Sequence, residues 1–175
     1  MTERPTLTER PTLTERVTLT PLGPDLIVQI EVWGVASAPA VGRIIASDPQ
    51  RWLVRIDASE SKADLGEALA DSGAIIDISG SLQRVRITGP AWRELMMIGG
   101  VFDAESPAFG PGSHVGTVIE HIAVRLDVTA DDSVDVYFAP SFADHLLAFW
   151  REAAKRLNAG PAVWIAPGPA SVETL

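Results

Sequence analysis

Residues 74–97, "AIIDISGSLQRVRITGPAWRELMM", carry the pattern that decides the fold. Residues 74–79 and 83–88 are rich in β-branched side chains, and the Gly-Ser pair between them predicts a β-hairpin. In the second run apolar residues alternate with Arg84 and Arg86, which predicts one buried face and one face turned to solvent. A Gly-Pro pair then opens a helix-like run, because proline is favourable in a first helical turn. The segment therefore predicts a β-β-α unit.

The flanking sequence extends this unit in both directions. Residues 51–57, "RWLVRID", predict a strand. Ser61 and Asp64 have the spacing of a capping box, and a helix follows to about residue 71. From residue 51 the order strand, helix, strand, strand, helix, strand is that of a ferredoxin-like fold. We predict an α+β protein with a ferredoxin-like βαββαβ core on a mainly antiparallel sheet, extended by a β-hairpin and a C-terminal helix. The other predicted strands are 26–33, 43–46, 114–119, 121–128 and 133–138.

The C-terminal helix has the clearest pattern. Ser141 and Asp144 have the spacing of a capping box. Apolar side chains then recur at helical spacing from Phe142 to Leu157, which predicts one buried face. Gly160 and Pro161 are typical of a helix end.

Composition excludes several classes of function. The chain has 175 residues and a net charge of −9, which argues against a nucleic-acid or anionic-membrane partner. There is no cysteine, so disulfides, thiolate metal sites and a cysteine nucleophile are all excluded. Their absence fits a cytoplasmic protein. No run approaches the roughly 20 apolar residues of a membrane span.

The chain divides into three parts. Residues 1–24 form an N-terminal arm in which the hexapeptide "TERPTL" occurs twice and then again in altered form. Prolines and low apolar content favour a disordered arm, whereas alternating Thr and Leu favour an extended arm that orders against a partner. Residues 25–160 form a single α+β domain, and residues 161–175 form a C-terminal tail.

A search for catalytic motifs finds none that is complete. His114, His121 and His145 lack the spacing of metal ligands. Ser141 and Asp144 precede His145, but residues so close on one helical turn seldom form a triad, and helix capping explains them. We therefore predict no catalytic, cofactor-binding or metal-binding residue in this chain.

Two features are candidate binding elements. Asp77 lies between two isoleucines of a predicted strand, where it is either the polar side of a half-buried strand or a carboxylate that binds a ligand. Phe102 and Phe109 lie in a long loop that also contains Asp103. Loop aromatics either serve an interface or cover the loop's own core.

Short motifs recur in a characteristic order along residues 51–157. They are Trp52-Leu53, Asp77-Ile78-Ser79, Gly89-Pro90, a loop from Asp103 through Pro107 and Phe109 to Gly112, Thr117, and Ser141-Phe142-Ala143. In this order and spacing the chain resembles the gamma subunit family of heterotetrameric sarcosine oxidase. The resemblance covers roughly six-tenths of the chain.

The resemblance implies a fold related to the folate-binding domain of aminomethyltransferases. It also implies a cytoplasmic heterotetrameric oxidoreductase that acts on CH–NH bonds. In that family the alpha subunit binds NAD and tetrahydrofolate, the beta subunit carries the flavins FAD and FMN, and the delta subunit holds zinc. The complex oxidatively demethylates sarcosine or a related N-methyl amine, a step in one-carbon metabolism.

From this resemblance we expect a non-catalytic structural subunit that contacts alpha chiefly, in a complex with beta and delta. The interface candidates are Trp33, Phe102, Asp103 and Phe109. The alternative is a stand-alone folate-binding protein like the aminomethyltransferases, with Asp77 as the carboxylate that faces the pterin. A third hypothesis is a ferredoxin-like sensor of a small ligand.

Overall fold

The computed structural model describes residues 15–33, 42–57 and 62–160. Most of the hexapeptide repeat, the predicted helix cap at Ser61 and the C-terminal tail lie outside these residues. In the described part the strands are β1 (Thr18–Pro21), β2 (Leu26–Val32), β3 (Arg43–Asp48), β4 (Arg51–Ile56), β5 (Gly73–Asp77), β6 (Gln83–Thr88), β7 (His114–Ile119), β8 (Ile122–Ala130) and β9 (Ser133–Phe138). The helices are α1 (Lys62–Leu69), α2 (Trp92–Met97) and α3 (Ala143–Ala159).

The strands form two antiparallel sheets. One sheet has the order β1-β6-β9-β8-β7 and the other has the order β3-β4-β2-β5. The α+β class and the antiparallel pairing are confirmed. The predicted single ferredoxin-like sheet is replaced by two sheets, because β5 and β6, at the centre of the predicted core, belong to different ones.

The predicted hairpin between residues 74–79 and 83–88 is wrong for a local reason. A 3₁₀ turn at Ser79–Ser81 separates the two strands. The backbone N–H of Ile78 donates to the carbonyl of Ile27, and the N–H of Ile27 donates to Ser79 Oγ. These bonds hold the end of β5 on β2, so β6 continues into the other sheet.

The molecule is built in four layers, which are α2 with α3, the five-stranded sheet, the four-stranded sheet, and α1. The largest apolar cluster lies between the first two layers and includes Trp92, Phe138 and Trp150. A second cluster joins the four-stranded sheet to α1 through Trp52 and Leu65. A third cluster joins the two sheets and comprises Ile27, Ile45, Leu53 and Tyr137.

The last part of the predicted arm is packed on the domain. β1 pairs with β6, and Val17 just before it is buried. The side chain of Asn158 accepts hydrogen bonds from the backbone of Arg16 and Val17 and donates one to the Val17 carbonyl. Gly89 has a φ of 107°, and a Cβ there would lie 2.4 Å from the Arg16 carbonyl oxygen. Residues 15–21 therefore belong to the fold.

Helix α3 is confirmed, but its predicted capping box is wrong. A 3₁₀ turn at Pro140–Phe142 precedes it, so the residue that caps the helix is Phe142, which makes no side-chain capping bond. This turn leaves Ser141 outside the capping position. Phe142, predicted on the buried face, is 44% exposed. The buried face consists of Leu146, Leu147, Trp150, Ala153 and Ala154.

Candidate functional site

The long loop after α2 borders a groove of about 510 Å³. Phe102, Asp103 and Phe109 all line it, so the fold brings three of the four predicted interface residues together. Phe102 is half-buried and Asp103 is exposed, whereas Phe109 is only 8% exposed and forms part of the core. The remaining lining residues are Ser106, Ala108, Gly112, Ser113, His114 and Val115. We call this surface the loop groove.

Stacked rings and one arginine hold the loop in place. The ring of Phe109 lies 6.0 Å from that of Trp92 and 5.7 Å from that of Phe102. The guanidinium of Arg93 lies 4.2 Å from the Trp92 ring centroid, a cation–π arrangement. Arg93 Nη1 also donates to the carbonyls of Ala104 and Phe109. Sequence reasoning missed Arg93, because an arginine on a short helix gives no sign that it will bind a loop beyond it.

The rim of the loop groove is polar. The carboxylate of Asp103 accepts a hydrogen bond from the backbone N–H of Glu105 at 2.9 Å, which shapes the turn there. His114 Nε2 lies 2.9 Å from Ser47 Oγ and so links the groove to β3. An apolar floor with a polar rim is typical of protein interfaces.

Trp33 lies away from this groove. It follows β2, is 58% exposed, and its indole N–H donates to the carbonyl of Asp71 at 2.7 Å. Its backbone N–H donates to the carbonyl of Ser72. The indole is therefore hydrogen-bonded to the 3₁₀ turn Ala70–Ser72 that follows α1, and Trp33 does not line the groove with the other three candidates.

Asp77 is engaged by its own neighbours. It ends β5 at the surface, where its carboxylate accepts hydrogen bonds from the Ser79 hydroxyl at 2.7 Å and the Ser79 backbone N–H at 3.1 Å. Lys62 Nζ lies 3.2 Å away. The bonds from Ser79, with a smaller effect from Lys62, lower the pKa of Asp77 to about 2. The carboxylate thus terminates a strand rather than entering a pocket.

The pKa of Asp77 gives a direct test of this arrangement. Because its folded pKa lies below its ordinary value near ~4, the ionised carboxylate contributes stability above that pH and loses the contribution as pH falls towards 2. We expect Ser79→Ala to raise the pKa of Asp77 more than Lys62→Ala does. An NMR titration of the Asp77 carboxyl measures both variants. An unchanged pKa in Ser79→Ala would contradict the assignment.

A charged cluster lies on the face of the five-stranded sheet that turns towards the other sheet. Asp135 is fully buried and pairs with Arg86 at 2.7 Å and Arg84 at 3.1 Å, while Arg84 also pairs with Asp25 at 2.7 Å. The prediction that Arg84 and Arg86 point to solvent is therefore wrong, most clearly for Arg84, whose side chain is 11% exposed. Their alternation with apolar residues is real, but the polar face meets carboxylates instead of water.

One ion pair clamps the two sheets together. Arg43 of β3 binds buried Asp127 of β8 through two nitrogens, at 2.5 and 2.6 Å, and also donates to the Val128 carbonyl. The hydrogen bond to Asp127 raises the pKa of the Arg43 guanidinium. Nearby, burial raises the pKa of the Tyr137 hydroxyl, so this phenol stays neutral. Sequence reasoning missed the clamp because its two residues are 84 positions apart.

Other candidate chemistry is not assembled in the described residues. Ser141, Asp144 and His145 are exposed at the start of α3. Within residues 15–33, 42–57 and 62–160, no cluster of three or more histidine, aspartate or glutamate side chains could hold a metal ion. No helix in that part of the chain is long and apolar enough to cross a membrane.

The chain matches solved structures and a family of known sequences. The chain is similar in structure to a chain of heterotetrameric sarcosine oxidase from Corynebacterium sp. U-96, solved in complex with pyrrole 2-carboxylate. The TM-score is 0.70 at 20% sequence identity, and the match covers 85% of this chain and 89% of that one, which establishes a common fold. No curated protein matches the chain.

The sequence match is to a family and spans most of the fold. Residues 18–156, from β1 to the last turns of α3, match the family described as "Sarcosine oxidase, gamma subunit family". This confirms the resemblance found in residues 51–157 and extends it to the first strand. The chain belongs to the sarcosine oxidase gamma subunit family.

Proposed function

We propose that this chain is the gamma subunit of a heterotetrameric flavoenzyme that oxidatively demethylates sarcosine or a related N-methyl amine. The observation that carries the proposal is the family match over residues 18–156. The structural similarity to a chain of a heterotetrameric sarcosine oxidase supports it. The proposed partners are the alpha, beta and delta subunits of a cytoplasmic complex, with alpha as the main contact.

In this proposal the chain contributes surface rather than chemistry. The reaction's cofactors would belong to the partners, with NAD and tetrahydrofolate on alpha, FAD and FMN on beta, and zinc on delta. The polar groups of the described residues support this division, because the buried carboxylates form ion pairs inside the fold. Asp127 and Asp135 are buried and each is held by arginine, so neither is available to a substrate.

The loop groove is the proposed contact with alpha. Val101, next to Phe102, is 79% exposed, a large apolar exposure for a loop residue. Phe102 and Asp103 line the groove itself, with Phe109 behind them as support. Arg93 holds the loop in one conformation, which lowers the entropy lost when a partner binds. Trp33 would form a separate contact.

No observation favours the stand-alone folate-binding alternative. Its candidate carboxylate, Asp77, is exposed and already satisfied by Ser79 and Lys62. Asp77 also does not line the loop groove. A titration of the isolated chain with tetrahydrofolate, followed by tryptophan fluorescence, tests this alternative, and we expect no response.

Co-expression tests the proposed function. A tagged chain produced with the alpha, beta and delta subunits encoded by the same host should co-purify in a stoichiometric complex of defined native mass. The complex should show flavin absorbance and oxidise an N-methyl amine, whereas the isolated chain should do neither. A chain that remains alone in the presence of all three subunits would overturn the proposal.

Ala108→Glu tests the loop groove within that experiment, because Ala108 lines the groove and is exposed. A charge placed in an apolar contact is left without a partner, so we expect recovery of the complex to fall about tenfold. Ala148→Glu is the matched control, because it adds the same charge to an exposed position of α3. Equal recovery of the two variants would exclude the loop groove as the contact.

A further inference from the structure

The β7–β8 pair is only partly covered by the four-stranded sheet. At one end His114 meets Ser47 and Asp127 holds Arg43, so β3 lies over that end. Farther along the same face a groove of about 310 Å³ remains open. Its lining residues are Gly116, Thr117, Val118, Ala123, Val124 and Arg125. We call this surface the Arg125 groove.

Arg125 differs from three other arginines that lie where the two sheets meet. Arg43, Arg84 and Arg86 each bind a carboxylate, whereas half-buried Arg125 has none within ion-pair distance among residues 15–33, 42–57 and 62–160. A partly desolvated guanidinium without an acceptor is unfavourable. The chain carries a net charge of −9, yet none of the described acidic side chains lies within ion-pair distance of Arg125.

The polar residues of a small pocket beside Arg125 leave it available. Arg125 also lines a small pocket of about 100 Å³ with Gln29, Asp48 and Arg51. Arg51 is held by Glu31 at 2.6 Å, and Gln29 donates to the same carboxylate. Asp48 is the one acid that lines this pocket, and it lies beyond ion-pair distance of Arg125.

The space beside Arg125 is open because its cross-strand neighbour is a glycine. Gly116 pairs directly with Arg125 in the register of β7 and β8. A Cβ added at Gly116 would meet no atom within 4 Å. Val118 and Ala123, the next cross-strand pair on this face, are both exposed and apolar. The groove therefore combines room for a chain segment, an apolar floor and a cation that no carboxylate of the described residues binds.

We propose that the Arg125 groove receives an extended segment of a partner subunit, whose carboxylate side chain pairs with Arg125 and whose apolar side chains cover Val118 and Ala123. Charge complementarity selects this occupant, because an acidic residue supplies the carboxylate that Arg125 does not have among the described residues. The inference rests on the proposed function and adds a second contact to it, separate from the loop groove.

A competition experiment tests the inference in the assembled complex. Two gamma chains of different mass, one wild type and one variant, are co-expressed with alpha, beta and delta, and native mass spectrometry measures their ratio in the complex. We expect Arg125→Gln to be under-represented about tenfold. Arg151→Gln is the matched control, because exposed Arg151 on α3 also has no carboxylate within ion-pair distance among the described residues. We expect this control to enter the complex at a ratio near that of wild type.

Gly116→Val makes the test independent of charge. Valine suits a strand and has room at this position, so the fold should be retained while the groove is filled. We expect the same under-representation as for Arg125→Gln. Gly116→Val also tests the inference if Arg125→Gln does not fold.

The outcomes separate the two proposals. If wild-type chain enters the complex and both groove variants compete equally with it, the Arg125 groove is not a contact. If both variants instead abolish a homodimer of this chain and leave the heteromeric complex unchanged, the occupant is a second copy and the inference is wrong. If wild-type chain joins no complex at all, the proposed function itself fails.

Discussion

Replacing Asp135 by alanine is expected to lower the free energy of unfolding by about 3–5 kcal/mol. Asp135 is fully buried in β9, and its carboxylate binds both Arg84 and Arg86. Without it Arg86 loses its carboxylate, while Arg84 retains only Asp25. Most of the loss is expected from Arg84, because its side chain is 11% exposed and its cation stays largely out of contact with water, whereas Arg86 is 39% exposed and reaches solvent.

Urea unfolding followed by tryptophan fluorescence measures this change. Glu152→Ala is the control, because Glu152 pairs with Lys155 and Arg156 on the exposed side of α3. Exposed pairs of this kind contribute about 0–1 kcal/mol. If Asp135→Ala were no more destabilised than Glu152→Ala, the buried cluster would not be a major source of stability.

Replacing Trp150 by alanine is expected to cost about 3–5 kcal/mol, because it leaves a large cavity in the main core. Trp150 is fully buried on α3, and its ring lies 5.8 Å from that of Phe138 in an edge-to-face contact. This contact attaches the C-terminal helix to the five-stranded sheet. The same unfolding measurement applies.

Trp150→Phe separates packing from hydrogen bonding at this site. The indole N–H of Trp150 is buried and has no hydrogen-bond partner among the described residues. Phenylalanine therefore removes no bond and keeps most of the ring contact, so we expect a loss of about 1–2 kcal/mol. Equal losses for the alanine and phenylalanine variants would contradict a packing role.

These interactions also position the two proposed contacts. The Arg43–Asp127 clamp and the Asp135 cluster set how the sheets stack, and the end of that stack leaves the Arg125 groove open. The main core holds α2, whose Arg93 supports the loop groove. Assembly should therefore depend both on the stacking of the two sheets and on the packing of α2 in the main core.

Much of the fold and part of the candidate site were predictable from sequence. Local periodicity predicts the C-terminal helix as far as Leu157 and several strands, among them those around residues 26–33, 51–57 and 133–138. The loop with Phe102, Asp103 and Phe109 was recognised as a candidate, and the structure places all three on one groove. The family was identified from short motifs and is confirmed over residues 18–156.

Other features could not be read from local pattern. Alternation in β6 predicts one polar face, but it does not tell whether that face meets water or the carboxylate of Asp135, which is 49 positions from Arg86. The hairpin between β5 and β6 was predicted from turn chemistry. Instead, the Ile27 N–H donates to Ser79 Oγ and the Ile78 N–H donates to the Ile27 carbonyl, which holds β5 on β2 while β6 joins the other sheet. Arg125 looks in sequence like any solvent-facing residue of an amphipathic strand.

The sequence by itself determined most of the secondary structure, the α+β class and the family, because these depend on periodicity and motifs within short segments. Only the tertiary structure decided that the described strands form two sheets and that Asp127 and Asp135 are buried ion-pair partners. It also decided that no carboxylate among the described residues lies within ion-pair distance of Arg125. The physical reason is that strand pairing and burial of charge depend on residues as far as 84 positions apart, whose proximity no local pattern encodes.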